Sequence, residues 1–280
     1  MDLQSLSQSV IKISKQAGAF IREQYFLFNE KNIETKSLNS FVSFVDITAE
    51  KMVATELKNI FPESKFLTEE NTVEQGTLRQ AHGDNEWLWI IDPLDGTTNF
   101  IHGIPTFAVS IGLMHKGKMK LGVVYEIMRD ECFSAYEGSQ SQLNGKPIYV
   151  SERKTLVDSL IATGFPYEKF DFIPQYLKTL SYLMQHTRGI RRIGSAAVDL
   201  AYTACGRFDG FFEYNLNPWD VAAGAFIVQQ AGGQLSCFSG SDNFIFGREI
   251  LAGNGLINHE LLQVIQQNNS TSTNAIGANL

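Results

Sequence analysis

The chain is poor in the features that would tie it to several common protein classes. Its 280 residues hold three cysteines, Cys132, Cys205 and Cys237. They are odd in number and far apart, which argues against a disulfide framework and a thiolate metal site and points to a reducing, cytoplasmic compartment. No uncharged apolar run approaches ~20 residues. The start Met1-Asp2-Leu3-Gln4-Ser5 has neither a basic nor an apolar leader region, so neither a membrane partner nor secretion is expected. Positive charge is also scarce: 23 Lys and Arg face 30 Asp and Glu, a net charge of −7. No basic run exceeds the length of Arg191-Arg192, which excludes a nucleic acid held on a broad cationic face. A small anion remains open if metal ions reverse the local sign.

What is present is enough to bury a large core, with 44% hydrophobic residues and no internal repeat. Val10, Ile13, Ala17, Phe20, Ile21 and Tyr25 recur at helical spacing, as do Val53, Leu57 and Ile60, so two amphipathic helices open the chain. Between them Lys36 to Ser43 fits neither period and reads as a mobile, lid-like loop. From Phe107 to Val150, short apolar runs are split by His115-Lys116-Gly117-Lys118, Arg129-Asp130, Glu137-Gly138-Ser139 and Asn144-Gly145, the punctuation of antiparallel hairpins. After Ser151 strands and helices alternate: 156–163 and 208–213 extended, helices at 174–185 and 195–205, and a helix opened by Pro218 and stopped by Gly232-Gly233. The expected division is an α+β unit over 1–150, an α/β unit over 151–265, and a frayed tail over 266–280.

Four acids follow apolar stretches that bring them to the edge of the core: Glu70, Asp92, Asp95 and Asp220. Asp92 and Asp95 sit three residues apart in a turn after the apolar run Trp87 to Ile90. Like charges ~4 Å apart cost up to ~4 kcal/mol at an effective dielectric near 20, so such a cluster needs protons or cations. An all-oxygen set favours Mg²⁺, which keeps waters and completes its shell with substrate phosphate oxygens. Gly96-Thr97-Thr98 follows at once and offers backbone amides to an anion.

Each element also has a plainer reading. Asp-Gly alone is usually just a turn. Asp220 suits a helix N-terminus through the macrodipole, Asp46 could cap the helix that follows it, and Glu213 could simply pair with Arg191. Glu69 reads as a solvated neighbour of Glu70, the three tryptophans as wall and core, and His102 as a structural hydrogen-bonding residue.

The segment Asp92-Pro93-Leu94-Asp95-Gly96-Thr97-Thr98-Asn99-Phe100 resembles the first signature of the inositol monophosphatase family, and Pro218-Trp219-Asp220-Val221-Ala222-Ala223-Gly224 resembles the second. The resemblance runs over roughly residues 8 to 265, through Ser43-Phe44-Val45-Asp46, Glu69-Glu70 and Arg191 to Leu200. At frequencies near ~5% per residue, a chance match to seven fixed positions of the first signature falls below about one in a million.

The resemblance implies an α+β, α/β-like fold: the alternating αβαβα layered sandwich of the inositol monophosphatase and fructose-1,6-bisphosphatase type. It implies a Mg²⁺-dependent phosphatase with two or three ions, one on Glu70, Asp92 and the Leu94 carbonyl and a second on Asp92, Asp95 and Asp220. Glu70 also helps to hold a weaker third. Thr97, oriented by Asp46, polarises the attacking water, with Asp95, Gly96 and Thr97 at the phosphate. Gly194, Ser195, Ala196, Glu213 and Asp220 contact the hydroxyls of a phosphorylated polyol or sugar. By the same resemblance the protein is a homodimer inhibited by Li⁺. Its first candidate substrate is myo-inositol 1-phosphate, while relatives act on fructose 1,6-bisphosphate, 3′-phosphoadenosine nucleotides or histidinol phosphate. A non-catalytic partner protein on the same fold is the rival. The chain departs from the family pattern at Ser40, where many members carry an acid, which bears on the third ion and on Lys36.

Overall fold

The computed structural model describes residues 2–28, 35–73, 86–166 and 172–270, with the side chains of 35–41, 269 and 270 left aside. Helix α1, Leu3–Leu27, is capped by Asp2, whose carboxylate accepts the Gln4 N–H at 3.0 Å. Its stripe of Val10, Ile13, Ala17 and Ile21 lies alongside Val45, Ala49, Val53 and Leu57 of α2, Thr35–Ile60. The backbone of 36–43 forms the first turns of α2 and is not a loop. This polar stretch contains no proline or glycine, so the helix anchored by Val45 and Ala49 can propagate back through it.

Both helices cover one face of a seven-stranded sheet in sequential order: β1 (Lys65–Thr68), β2 (Trp87–Asp95), β3 (Ala108–His115), β4 (Lys118–Glu126), β5 (Glu131–Tyr136), β6 (Gln142–Leu143) and β7 (Lys146–Pro147). Only the β1–β2 pair is parallel; the rest form the expected antiparallel hairpins. Two of their turns place consecutive residues at positive φ, Lys116-Gly117 and Asn144-Gly145, as tight hairpin turns require. Strand β2 is buried on both faces, Trp89 and Ile91 toward the first helices and Leu88 and Ile90 toward the opposite side, which explains its unbroken apolar run.

Helix α3, Thr97–Ile101, follows β2 directly. The second half gives a single 3₁₀ turn at Leu156–Asp158, β8 (Leu160–Thr163), α4 (Ile173–His186), β9 (Gly189–Arg191), α5 (Ala196–Ala204), β10 (Gly210–Tyr214), α6 (Pro218–Gln230), β11 (Gln234–Ser236), β12 (Glu249–Gly253) and α7 (Gly255–Ser270). These strands form a five-stranded sheet in the order β11-β12-β10-β8-β9, parallel among β10, β8 and β9 and antiparallel at β12. Arg188 N–H bonds Ser159 O, and Asp209 N–H bonds Leu160 O, so the extended stretches begin later than periodicity indicated.

Helices α5 and α6 lie between the two sheets, buried nearly all round, and only small residues permit that. A Cβ on Gly122 of β4 would lie 2.6 Å from the Ala223 carbonyl oxygen of α6, so the backbones meet there without an intervening side chain. Helices α4 and α7 cover the outer face of the second sheet through Leu183, Ile257, Leu261 and Ile265. The result is the αβαβα sandwich.

Helix α7 continues through Gln266, where fraying was expected. Gln266 Nε2 donates to Phe238 O at 3.2 Å, and Asn268 Nδ2 donates to Thr179 Oγ1 at 3.2 Å; residues 271–280 lie outside the described residues. Among the described residues no helix is long and apolar enough to cross a membrane.

Candidate active site

The first acidic turn is built where β2 loses its register against β3 between Asp92 and Asp95. Pro93, which has no N–H to give to a ladder, occupies that irregularity. Asp92 is buried, and its Oδ1 accepts the Leu94 N–H at 2.9 Å. Gly96 has φ +99°, and a Cβ there would press on the Thr106 carbonyl at 3.1 Å, so glycine is the residue that fits. Thr97 opens α3 and turns its hydroxyl back onto the Leu94 carbonyl at 3.0 Å, a local closure typical of threonine. That hydroxyl is not bonded to Asp46, contrary to the orientation the resemblance implied.

Asp95 ties the two halves of the chain together. Its Oδ2 accepts the Ser195 hydroxyl at 2.6 Å and the Ala197 N–H at 2.7 Å, at the N-terminus of α5. Asn99 adds a second tie, its Nδ2 donating to Thr106 O and Ile193 O, each at 2.7 Å. Gly194 follows at φ +90°, and a Cβ there would lie 2.9 Å from Asn99 Oδ1. Asn99 lay within the quoted signature, yet its bridging role depends on a residue 94 positions away.

Asp220 reaches the site from the first turn of α6. It is the N3 member of a capping box, with Oδ2 accepting the Asn217 N–H at 2.7 Å. Asp220 therefore both serves the helix start and lines the cleft. Glu213 comes from β10, buried, with its carboxyl packed on Gly164 so closely that only hydrogen fits there. The cation acting on it is Arg192, not Arg191.

At Glu69-Glu70 the structure reverses the expectation. Glu69 lines the cleft and faces Asp92, while Glu70 does not line it. The cause lies 20 residues earlier. Glu50, fully buried on α2, accepts the Glu70 N–H at 2.7 Å and both the N–H and hydroxyl of Thr72 at 2.7 Å. This clamp turns the chain after β1 so that the first glutamate points inward and the second lies beside Glu50. Glu50 stands one helical turn after Asp46, a spacing visible in the sequence and not used. Asp46 is itself buried, near Glu70, Glu69 and Glu50, and does not line the cleft.

The remaining site residues come together in one cleft of about 390 Å³: Asp92, Leu94, Asp95, Gly96, Thr97, Gly194, Ser195, Ala196, Glu213 and Asp220 all line it, with Arg192, Asp199 and Arg248. Trp89 is core, its Nε1 bonded to Ser64 Oγ at 3.0 Å, and Trp87 stacks on His115. His102 is exposed and does not line the cleft. Lys36 and Ser40 have side chains outside the described residues.

Burial dominates the electrostatics. It pushes Asp92 well above the usual carboxylate range, with Glu69, Asp95 and Asp220 adding repulsion. Burial, then Asp95, raises Asp220 to about 8, and burial, then Asp95 and Asp220, raises Glu213 to about 8. Glu69 rises to about 7, again chiefly by burial. Asp95 rises only to about 6, because its bonds from Ser195 and Ala197 and the charge of Arg192 oppose burial.

Among the described residues no three His, Cys, Asp or Glu groups are arranged to hold a metal ion by themselves. Mg²⁺ needs no complete protein cage, because it keeps waters and completes its shell with substrate phosphate oxygens. The mutually repelling, all-oxygen donors that line the cleft are the chemistry such an ion relieves.

The chain matches the sequence model of the inositol monophosphatase family over residues 2–270. The chain belongs to the inositol monophosphatase family. Among curated members of the family, it is 40% identical to Nus factor SuhB of Pseudomonas aeruginosa over 266 residues, covering 94% of this chain and 97% of that protein. It is also 40% identical to Nus factor SuhB of Escherichia coli K12, covering 87% and 89%. Among solved structures of the family, inositol monophosphatase from Anabaena superposes with a TM-score of 0.80 at 34% identity, covering 95% of this chain and 97% of that one. The extragenic suppressor protein suhB of Bartonella henselae gives 0.80 at 38%, covering 94% and 99%.

Proposed function

We propose that the protein is a Mg²⁺-dependent phosphatase that hydrolyses a small phosphate monoester, with myo-inositol 1-phosphate the first candidate. The observation that carries this reading is the convergence of Glu69, Asp92, Asp95 and Asp220, from three separate stretches of fold, on a single cleft beside Gly96 and Thr97. Glu69, Asp92 and the Leu94 carbonyl would hold one ion, and Asp92, Asp95 and Asp220 a second. Mg²⁺, when bound, supplies the positive charge that admits a phosphate to an anionic cleft and stabilises the charge developing during displacement.

The chain's own groups do the rest. Thr97 Oγ1 already donates its proton to Leu94 O, so its lone pairs are left to accept a hydrogen bond from the attacking water and fix its direction. Glu50 acts on the site at a distance, by fixing the Glu69-Glu70 turn. Gly96 and Thr97 hold the phosphate, and Gly194, Ser195, Ala196 and Glu213 receive the hydroxyls of the alcohol. The family reading brings with it a cytoplasmic homodimer sensitive to Li⁺.

A second reading rests on the names of the 40% identical relatives, which are those of a Nus factor and not of an enzyme. On it, the protein works as a member of a larger assembly through its surface. Phosphate release from a panel of monoesters, with and without Mg²⁺, separates the two. Turnover that requires Mg²⁺ supports the phosphatase, and no turnover of any monoester at micromolar enzyme discards it.

A further inference from the structure

One buried side chain in the cleft has no part in the reaction just described. Asp199 lies in the first turns of α5, its N–H bonded to Ser195 O at 2.9 Å, and it is 1% exposed while lining the cleft. Its Oδ1 is buried and accepts no hydrogen bond. An unsatisfied polar atom of this kind costs stability, because burial strips it of water and gives nothing in return. The helix around it is largely alanine, and alanine at 199 would remove that cost with better helix propensity. A bonding position left empty within the fold at such a cost is suited to a ligand donor.

The neighbours narrow the class of donor. Asp199 is affected by Glu213, Asp95 and Arg192, whereas Asp92 is affected by Glu69, Asp95 and Asp220. Asp199 thus lies on the Glu213 side of the cleft, with Asp95 acting on both it and Asp92. Two buried acids beside a single cation, Arg192, suit neither a second phosphate nor a metal ion. A neutral polyhydroxyl group meets neither objection, and adjacent hydroxyls can donate to both acids.

We propose that Asp199 is a specificity-determining residue whose carboxylate accepts a hydroxyl of the alcohol moiety, selecting polyol monophosphates over bisphosphates. The assignment rests on the phosphatase reading above and names the substrate class of that site.

The test is kcat/KM for myo-inositol 1-phosphate, its deoxy analogues and p-nitrophenyl phosphate, all with Mg²⁺. Asp199→Ala is expected to lower the inositol-to-aryl ratio about tenfold to a hundredfold, the loss of a hydrogen-bond partner to the substrate. Asp199→Asn, which keeps an acceptor, recovers most of it. In the unaltered enzyme, at least one deoxy analogue loses a similar factor, and that loss vanishes in Asp199→Ala. An unchanged ratio, or equal losses on both substrates, overturns the assignment, as does a wild-type enzyme indifferent to every deoxy analogue. The phosphatase reading itself fails only if the unaltered enzyme releases phosphate from none of these probes, and the assignment then falls with it.

Discussion

The two ends of the cleft are built on opposite plans. Around Asp92, Asp95 and Asp220, each carboxylate gives an oxygen to protein donors: Leu94 N–H, the Ser195 hydroxyl with Ala197 N–H, and Asn217 N–H. These acids are held before any ligand arrives. At the far end Asp199 Oδ1 is buried with no hydrogen-bond partner among the described residues, and the Glu213 carboxyl packs against Gly164, with the charge of Arg192 acting on both acids. The difference separates groups that must keep one geometry from groups that wait for a partner.

The largest effect that could break this comparison is at Asp95. Asp95→Asn is expected to lower Mg²⁺-dependent phosphate release by ~10³-fold with the circular-dichroism spectrum retained; wild-type turnover would refute the placement of the fixed end. Next come the adjacent glutamates. Glu69→Gln should weaken the Mg²⁺ dependence of activity about 10- to 100-fold while Glu70→Gln changes it only a few-fold, and the reverse order in a Mg²⁺ titration returns the site to Glu70.

A smaller change is expected at the waiting end. Gly164→Ala forces a methyl into the Glu213 carboxyl and should raise KM for myo-inositol 1-phosphate roughly tenfold, with a smaller effect on p-nitrophenyl phosphate. Equal effects on the two substrates would remove Glu213 from the alcohol's surroundings.

The smallest effect concerns stability. Burial raises Asp46, Glu213 and Asp220 to about 8 in the folded chain, against roughly 4 for an ordinary carboxylate. The unfolded chain therefore releases protons that the folded chain still holds, so stability falls as pH rises from about 4 to about 8. Without divalent ions the thermal midpoint should decline across that window, and Mg²⁺ should flatten the decline at its upper end. A midpoint that rises with pH contradicts the unrelieved repulsion described here.

Local patterns were the legible ones. The hairpin turns, the place of Asp220 at a helix start and the turn from Asp92 to Thr97 all depend on residues within a few positions of one another. The αβαβα sandwich followed from the family resemblance together with the alternation of elements. What escaped depends on distant partners. Nothing near Glu69-Glu70 says which of the two points inward, because Glu50 decides it. Asp199 passes for an ordinary acid near a helix start, and Asn99 for part of a turn, until Ile193 arrives beside it. The segment 36–43 misled for another reason: its polar face belongs to a helix whose anchoring residues come later in the chain.

The bonds from Ser195 and Ala197 to Asp95 have a further consequence. The same oxygen that fastens α5 to the turn after β2 belongs to an acid of the proposed metal site. On warming, a slight parting of the two layers would silence turnover while every helix and strand was still intact, so the enzyme should lose its activity some degrees before it loses its shape.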